Sequence, residues 1–180
     1  VSAAFAAVVK IDAFAYMPAQ DFGNAFATFI AQNHGAGQKE RIHKGILTAL
    51  KLSCVFCLFA SACVYVFAKP LMLLFVNSGE TQIINIGIEY LHIEGAFYVG
   101  IGILFLLYGL FRGLGKSSIS IFLTVVSLGS RVALAYALSS LPSVGVAGIW
   151  WSVPIGWALA DVAGCMIYLF RHRYHFIQKK

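Results

Sequence analysis

Several long stretches of this 180-residue chain contain no charged residue, and two of them decide its fold class. These two cover residues 52–68 and 95–111 and consist mainly of aliphatic and aromatic side chains. A helix needs about 20 mostly apolar residues to cross the hydrocarbon layer of a bilayer. The composition agrees, because 60% of the residues are hydrophobic and 11% are charged. An ordinary soluble domain, with about 25% charged residues, and a disordered chain are both excluded.

Clusters of glycine, proline, serine and asparagine divide the chain into helical segments. We predict an all-α polytopic membrane helix bundle with no soluble domain, whose five transmembrane helices cover residues 3–32, 46–74, 83–111, 119–138 and 146–170. Residues 171–180 form a basic tail. The chain begins without an initiator Met or a signal peptide, so we expect it to be a piece of a longer protein.

Lysine and arginine cluster on one side of the predicted bundle. They lie in the connections after the first and third helices and in the tail, as Lys39, Arg41, Lys44, Arg112, Lys116, Arg171, Arg173, Lys179 and Lys180. Short loops rich in these residues remain in the cytoplasm. We therefore expect a multi-pass protein of the inner or plasma membrane with a cytoplasmic C-terminus.

The first helix carries a polar stripe within its apolar sequence. Gln20, Asn24 and Thr28 repeat at four-residue intervals, and Asp21 lies beside them. Lipid cannot satisfy such side chains, so the stripe must face protein or a water-filled cavity. Two interpretations stay open, a cavity that binds a substrate cation or a coupling ion, and a polar contact between helices. Pro18 removes one backbone hydrogen bond and predicts a local kink.

The last predicted helix carries a second intramembrane carboxyl group, Asp161. Trp157 lies one turn away on the same face, so an organic cation could bind through charge and cation-π attraction. Packing against a neighbouring helix is the alternative, because Gly156, Ala160 and Gly164 form a stripe of small residues nearby. We also consider that protonation of Asp21 or Asp161 alternates with substrate release.

Arg131 is the one strong base well inside a predicted span. Glu89 and Glu94 lie at a comparable depth on the preceding helix, so we expect a structural ion pair between Arg131 and one of them. Lys10 and Asp12, near the start of the first helix, are interpreted as interfacial residues. No HExxH or GxSxG motif occurs, and no cluster of metal ligands is evident. We expect no enzyme activity, no metal, no cofactor and no nucleic-acid partner.

Several short motifs occur along the chain in a particular order and spacing. They are Gln32-Asn33-His34-Gly35-Ala36-Gly37 with Glu40-Arg41, Leu74-Phe75, Glu89-Tyr90-Leu91, Phe111-Arg112-Gly113-Leu114-Gly115 and Val144-Gly145-Val146-Ala147-Gly148. Together they resemble the motifs of the multidrug and toxic compound extrusion (MATE) transporters. The resemblance covers essentially the whole chain. It implies most of the C-terminal six-helix lobe of a twelve-helix transporter, without the first helix of that lobe.

The same resemblance implies a secondary active antiporter. Such proteins export organic, often cationic compounds in exchange for H⁺ or Na⁺ by alternating access between two lobes. The implied partners are membrane lipid, a small organic substrate and the missing N-terminal lobe. Residues 97–111 contain no carboxylate at the helix where some sodium-linked members have one, which puts sodium binding there in doubt. A lipid-linked saccharide flippase of the same superfamily and a non-transporting membrane scaffold are the alternatives.

Overall fold

The computed structural model describes the backbone of residues 2–140 and 147–177, with side chains for residues 4–140 and 147–170. This part of the chain folds into helices joined by short connections. They are α1 (Ser2–Gly35), α2 (Lys39–Leu73), α3 (Thr81–Gly95), α4 (Tyr98–Gly113), α5 (Ser117–Ser139) and α6 (Ala147–Ile177). The predicted all-α membrane fold is confirmed.

The third predicted helix is broken into two. Between α3 and α4 the chain bends by 52°, and Phe97 lies outside the helical region with φ −112° and ψ 16°. Gly95 ends α3 where the helix approaches α2, since a β-carbon at this position would lie 3.2 Å from Val64. Pro18, by contrast, lies inside the uninterrupted helix α1, so the local kink predicted there is not a break in the helix.

Length and hydropathy qualify α2, α5 and α6 as membrane spans, and the bent pair α3–α4 qualifies if it is counted as one span. The first predicted span, α1, does not meet the same hydropathy test among the described residues, although it is 34 residues long. Its polar stripe lowers the hydropathy. The last helix also continues beyond its predicted end at residue 170 to Ile177, so part of the predicted tail is helical.

Helices α1 and α4 run parallel and cross at glycines. A β-carbon on Gly23 would lie 2.8 Å from the backbone oxygen of Phe105, and one on Gly113 would lie 2.6 Å from that of Ala27. Gly109, between them, faces the Gly23 backbone. Small residues therefore let the two backbones touch. Because the helices are parallel, the α1–α2 and α4–α5 connections lie at one end of the bundle.

This end carries many of the lysines and arginines, and we call it the basic end. Lys39, Arg41 and Lys44 lie at the start of α2, Arg112 lies in the last turn of α4, and Lys116 directly precedes α5. Residues 141–146, in the connection between the fourth and fifth predicted helices, and the side chains of residues 171–180 lie outside the described residues. The lysines and arginines of the α1–α2 and α4–α5 connections therefore lie on one side of the bundle, as the sequence predicts.

Helices α5 and α6 pack antiparallel along the stripe of small residues predicted on α6. Gly156 faces Ser127 and Arg131 of α5, and Gly164 faces Leu107 and Leu123. Ala160 is fully buried between them. The predicted close packing of this stripe is confirmed, and it fixes α6 against both α4 and α5.

Candidate functional site

Two carboxyl groups meet in the interior of the bundle, far from the basic end. Asp12 on α1 and Glu94 on α3 are 5% and 4% exposed, and their side chains are within hydrogen-bonding reach of each other. The Tyr98 hydroxyl donates a hydrogen bond to Asp12 Oδ1, and the Tyr90 side chain reaches both carboxyl groups. We call Asp12 and Glu94 the acid pair.

The break between α3 and α4 places the partners of Asp12. Glu94 lies in the last turn of α3, and Tyr98 opens α4. From the two sides of the bend, the side chains of Glu94 and Tyr98 both reach Asp12 on α1. Tyr90, one turn before Glu94, also packs edge-on against Trp150 of α6, with ring centroids 4.8 Å apart. Helices α1, α3 and α4 therefore enclose the acid pair at the α3–α4 break, and α6 packs against Tyr90 beside it.

The acid pair favours one negative charge over two. Two carboxylates in contact and out of water repel each other strongly, and burial further penalises the second charge. Sharing one proton removes the repulsion and turns one carboxyl group into a hydrogen-bond donor. Tyr98 supplies a further donor to Asp12. The arrangement can therefore take up or release a proton when its surroundings change.

Asp12 was interpreted as an interfacial residue from the sequence, and this interpretation is wrong. It belongs to the buried face of α1, with Val8 and Ile11. The helical spacing that places Asp12 on the same face as the apolar residues Val8 and Ile11 was the signal that could have identified it as buried. Its neighbour Lys10 is exposed and lies over the Phe75 ring, 5.7 Å from the centroid.

The expected ion pair of Arg131 with Glu89 or Glu94 does not form. The one ion pair within 4 Å between described side chains is Lys44 with Glu40. Glu89 is exposed, and Glu94 contacts Asp12, while Arg131 acts on Glu94 only at longer range. Arg131 packs against Gly156 on α6 instead. The prediction failed because depth along a helix does not determine the direction in which a side chain points.

The four polar residues predicted on α1 lie on its exposed face. Gln20, Asp21, Asn24 and Thr28 are all exposed, although they lie in the middle of a long helix. Arg112 from the end of α4 donates from Nη2 to Asn24 Oδ1 at 2.8 Å. No ion pair of Asp21 occurs among the described side chains. We call these four residues the polar face.

Asp161 and Trp157 do not share an open surface. Trp157 is buried in a core cluster with Leu104, Val153 and Ala160. Asp161 faces α4, where its Oδ2 lies 3.7 Å from the position of a β-carbon on Gly100. Its Oδ1 is buried and has no hydrogen-bond partner in the part of the chain that the structure describes. The structure therefore places this carboxyl group between α4 and α6, where a side chain on Gly100 would contact it.

Sequence comparison decides the family of this bundle. The MatE family profile matches residues 2–137, well over half of the chain. The chain belongs to the MatE family. One curated relative, the probable multidrug resistance protein NorM of Thermotoga maritima, is 25% identical over 143 residues, which are 79% of this chain and 30% of that protein. The chain spans about a third of the length of the curated relatives it matches.

Solved structures of MATE transporters have the same fold. One in an inward-facing conformation matches 98% of this chain and 40% of its own, with a TM-score of 0.85 at 22% identity. One in an outward-facing conformation matches 99% of this chain and 39% of its own, with a TM-score of 0.86 at 23% identity. The family predicted from the motifs is confirmed. The MatE bundle described here corresponds to less than half of each solved transporter chain.

Proposed function

We propose that this MatE chain is part of a secondary active antiporter that exports organic, often cationic compounds in exchange for H⁺ by alternating access. The polar face of α1 is the observation that carries the proposal. Four polar side chains exposed on a helix of a membrane protein would be costly against lipid. They are accommodated if this face borders a water-filled passage between two lobes. Asp21 then offers a negative charge to a cationic substrate.

The acid pair is the proposed coupling site. Its two carboxyl groups are within hydrogen-bonding reach of each other, so a shared proton can join them directly. A proton fits this geometry, because it removes the repulsion without separating the groups. The pair lies where the α3–α4 break meets α1, so loss of the proton would change the charge of the lobe without requiring its helices to rearrange. Proton exchange and lobe movement are coupled in this way.

Asp161 is the second candidate for proton or cation binding. Its buried oxygen has no partner among the described residues, and a charged, unpaired oxygen at this position would be unfavourable. Protonation would remove the charge. Trp157 has a packing role in this proposal, because its ring is enclosed by core residues.

The lobe is proposed to move as one body. The same chain matches inward-facing and outward-facing transporters almost equally well, with TM-scores of 0.85 and 0.86. A lobe that rearranged internally would match one state better. We further propose that the basic end is cytoplasmic and that the protein resides in the inner or plasma membrane, because lysine and arginine favour the cytoplasmic side.

Transport by the full-length protein in liposomes tests the proposal. A permanently charged fluorescent organic cation is loaded, and its movement is followed after imposing either a pH gradient or a sodium gradient. We expect movement with the pH gradient and none with the sodium gradient alone. Movement driven by sodium alone would contradict the coupling proposal, and no movement with either gradient would contradict cation export.

A further inference from the structure

A groove of about 560 Å³ runs between α1 and α2 next to the basic end. It lies on the flank formed by the second half of α1 and the first half of α2, away from the acid pair. Its walls are mainly apolar, and two cationic residues, Arg41 and Lys44, line it as well. The groove is therefore amphipathic along its length.

The α2 wall changes character with depth. Arg41 and Lys44 lie in the first turns of the helix, and Thr48 and Leu52 follow on the same face. At a rise of ~1.5 Å per residue, Leu52 lies about 16 Å along the helix from Arg41. Positive charge thus gives way to apolar surface over a distance similar to the depth of a phospholipid glycerol and upper acyl chain.

The α1 wall is aromatic. Phe22, Phe26 and Phe29 lie on one face of the helix, spaced by three or four residues. Gly45 on α2 makes room for the Phe29 ring, because a β-carbon at this position would overlap the ring. The groove is consequently built by both helices, with a glycine at the place where they approach.

The charges at the open end leave a positive excess. Glu40 lies beside the groove and forms an ion pair with Lys44 at 2.8 Å, with both side chains highly exposed. Arg41 has no ion pair among the described side chains. Such an exposed ion pair contributes little and can be exchanged for another anion. A single negative group at this end would meet Arg41 and, after exchange, Lys44.

We propose that the groove binds one anionic phospholipid of the surrounding bilayer. Its phosphate lies between Arg41 and Lys44, and one acyl chain lies along Phe22, Phe26 and Leu52. Charge complementarity and the order of polar and apolar surface favour a lipid over a protein segment, which would need an acidic residue followed by an apolar stretch. The bound lipid would join α1 to α2 next to the basic end.

Native mass spectrometry of the full-length protein tests this inference, with phosphatidylglycerol and phosphatidylcholine titrated into the detergent. The Arg41→Gln/Lys44→Gln variant removes two groove charges. Its control, Lys39→Gln/Lys51→Gln, removes two exposed charges of α2 outside the groove. We expect the groove variant to lose about 25-fold in phosphatidylglycerol retention, because each of the two basic residues contributes about fivefold. The control should retain the wild-type preference.

The variant Thr48→Trp fills the apolar part of the groove without changing charge. Thr48 is exposed, so the fold should tolerate the larger ring. We expect reduced retention of both lipids. Equal losses in the two charge variants, or equal retention of the two lipids by the wild type, would overturn the proposal. So would a cross-link from Thr48→Cys to an upstream part of the same protein, which would show that the protein itself covers the groove.

Discussion

Asp12 and Asp21 lie on the same helix, yet their surroundings are opposite. Asp12 is buried, contacts Glu94 and accepts a hydrogen bond from Tyr98. Asp21 is exposed and has no ion pair among the described side chains. The two faces of α1 therefore place two aspartates in different environments, one buried against another carboxyl group and one exposed. We assign coupling to the first aspartate and substrate contact to the second.

The largest effect is expected from the acid pair. Asp12→Asn and Glu94→Gln each replace an ionisable group by a neutral group of the same shape, so that the shared proton is no longer exchanged. We predict that efflux driven by a pH gradient falls to the level of liposomes without protein. Thermal unfolding and membrane insertion of the same variants report whether the fold is intact. Undiminished efflux in either variant would remove that residue from the coupling mechanism.

The glycine crossing of α1 and α4 determines which face of α1 is turned outward, and Gly109→Ala tests it. The added methyl group would overlap the Gly23 backbone, so we expect a loss of about 1–3 kcal/mol in unfolding free energy. Gly129→Ala on α5 is the control, since a β-carbon there meets nothing within 4 Å. It should gain about 0.5–1 kcal/mol from helix propensity alone. Denaturation in micelles measures both, and equal changes would contradict the crossing.

A smaller effect is expected at Asp21. An exposed charge pair contributes at most about 1 kcal/mol, so Asp21→Asn should raise the KM for a cationic substrate about fivefold. Because the acid pair is untouched, the pH dependence of transport should match the wild type. Initial rates at several cation concentrations and pH values measure both quantities. A changed pH profile with an unchanged KM would reverse the two assignments.

The smallest effect concerns the contact between Arg112 and Asn24. The 2.8 Å hydrogen bond is exposed, so Arg112→Gln should cost only about 0.5–1 kcal/mol in unfolding free energy. Asn24→Ala breaks the same bond, and the double variant should lose no more than the larger single loss. Additive losses in this double-mutant cycle would show that the two residues act separately.

The sequence was sufficient for the fold class, the family and the four residues of the polar face. Long apolar stretches and a polar stripe at helical spacing are local signals. The acid pair was missed because it joins α1 to α3, and a contact between distant segments has no local signature. Asp12 and Glu94 become partners only when the two helices are packed together.

The break after Gly95 was also missed. Glycine, alanine and phenylalanine can all continue a helix inside a membrane, so nothing local demanded an interruption at this point. The close approach of Gly95 to Val64 and the burial of Tyr98 beside Asp12 are tertiary facts. The Arg131 prediction failed for a related reason, since equal depth did not imply contact with Glu94.

Infrared difference spectroscopy of the carboxyl groups tests the shared proton most directly. Spectra of the full-length protein near neutral pH are compared with those of the double variant Asp12→Asn/Glu94→Gln and of Asp21→Asn. We predict that the double variant loses one protonated carboxyl band and one carboxylate band, while Asp21→Asn keeps the protonated band of the acid pair. Loss of two carboxylate bands and no protonated band in the double variant would contradict it.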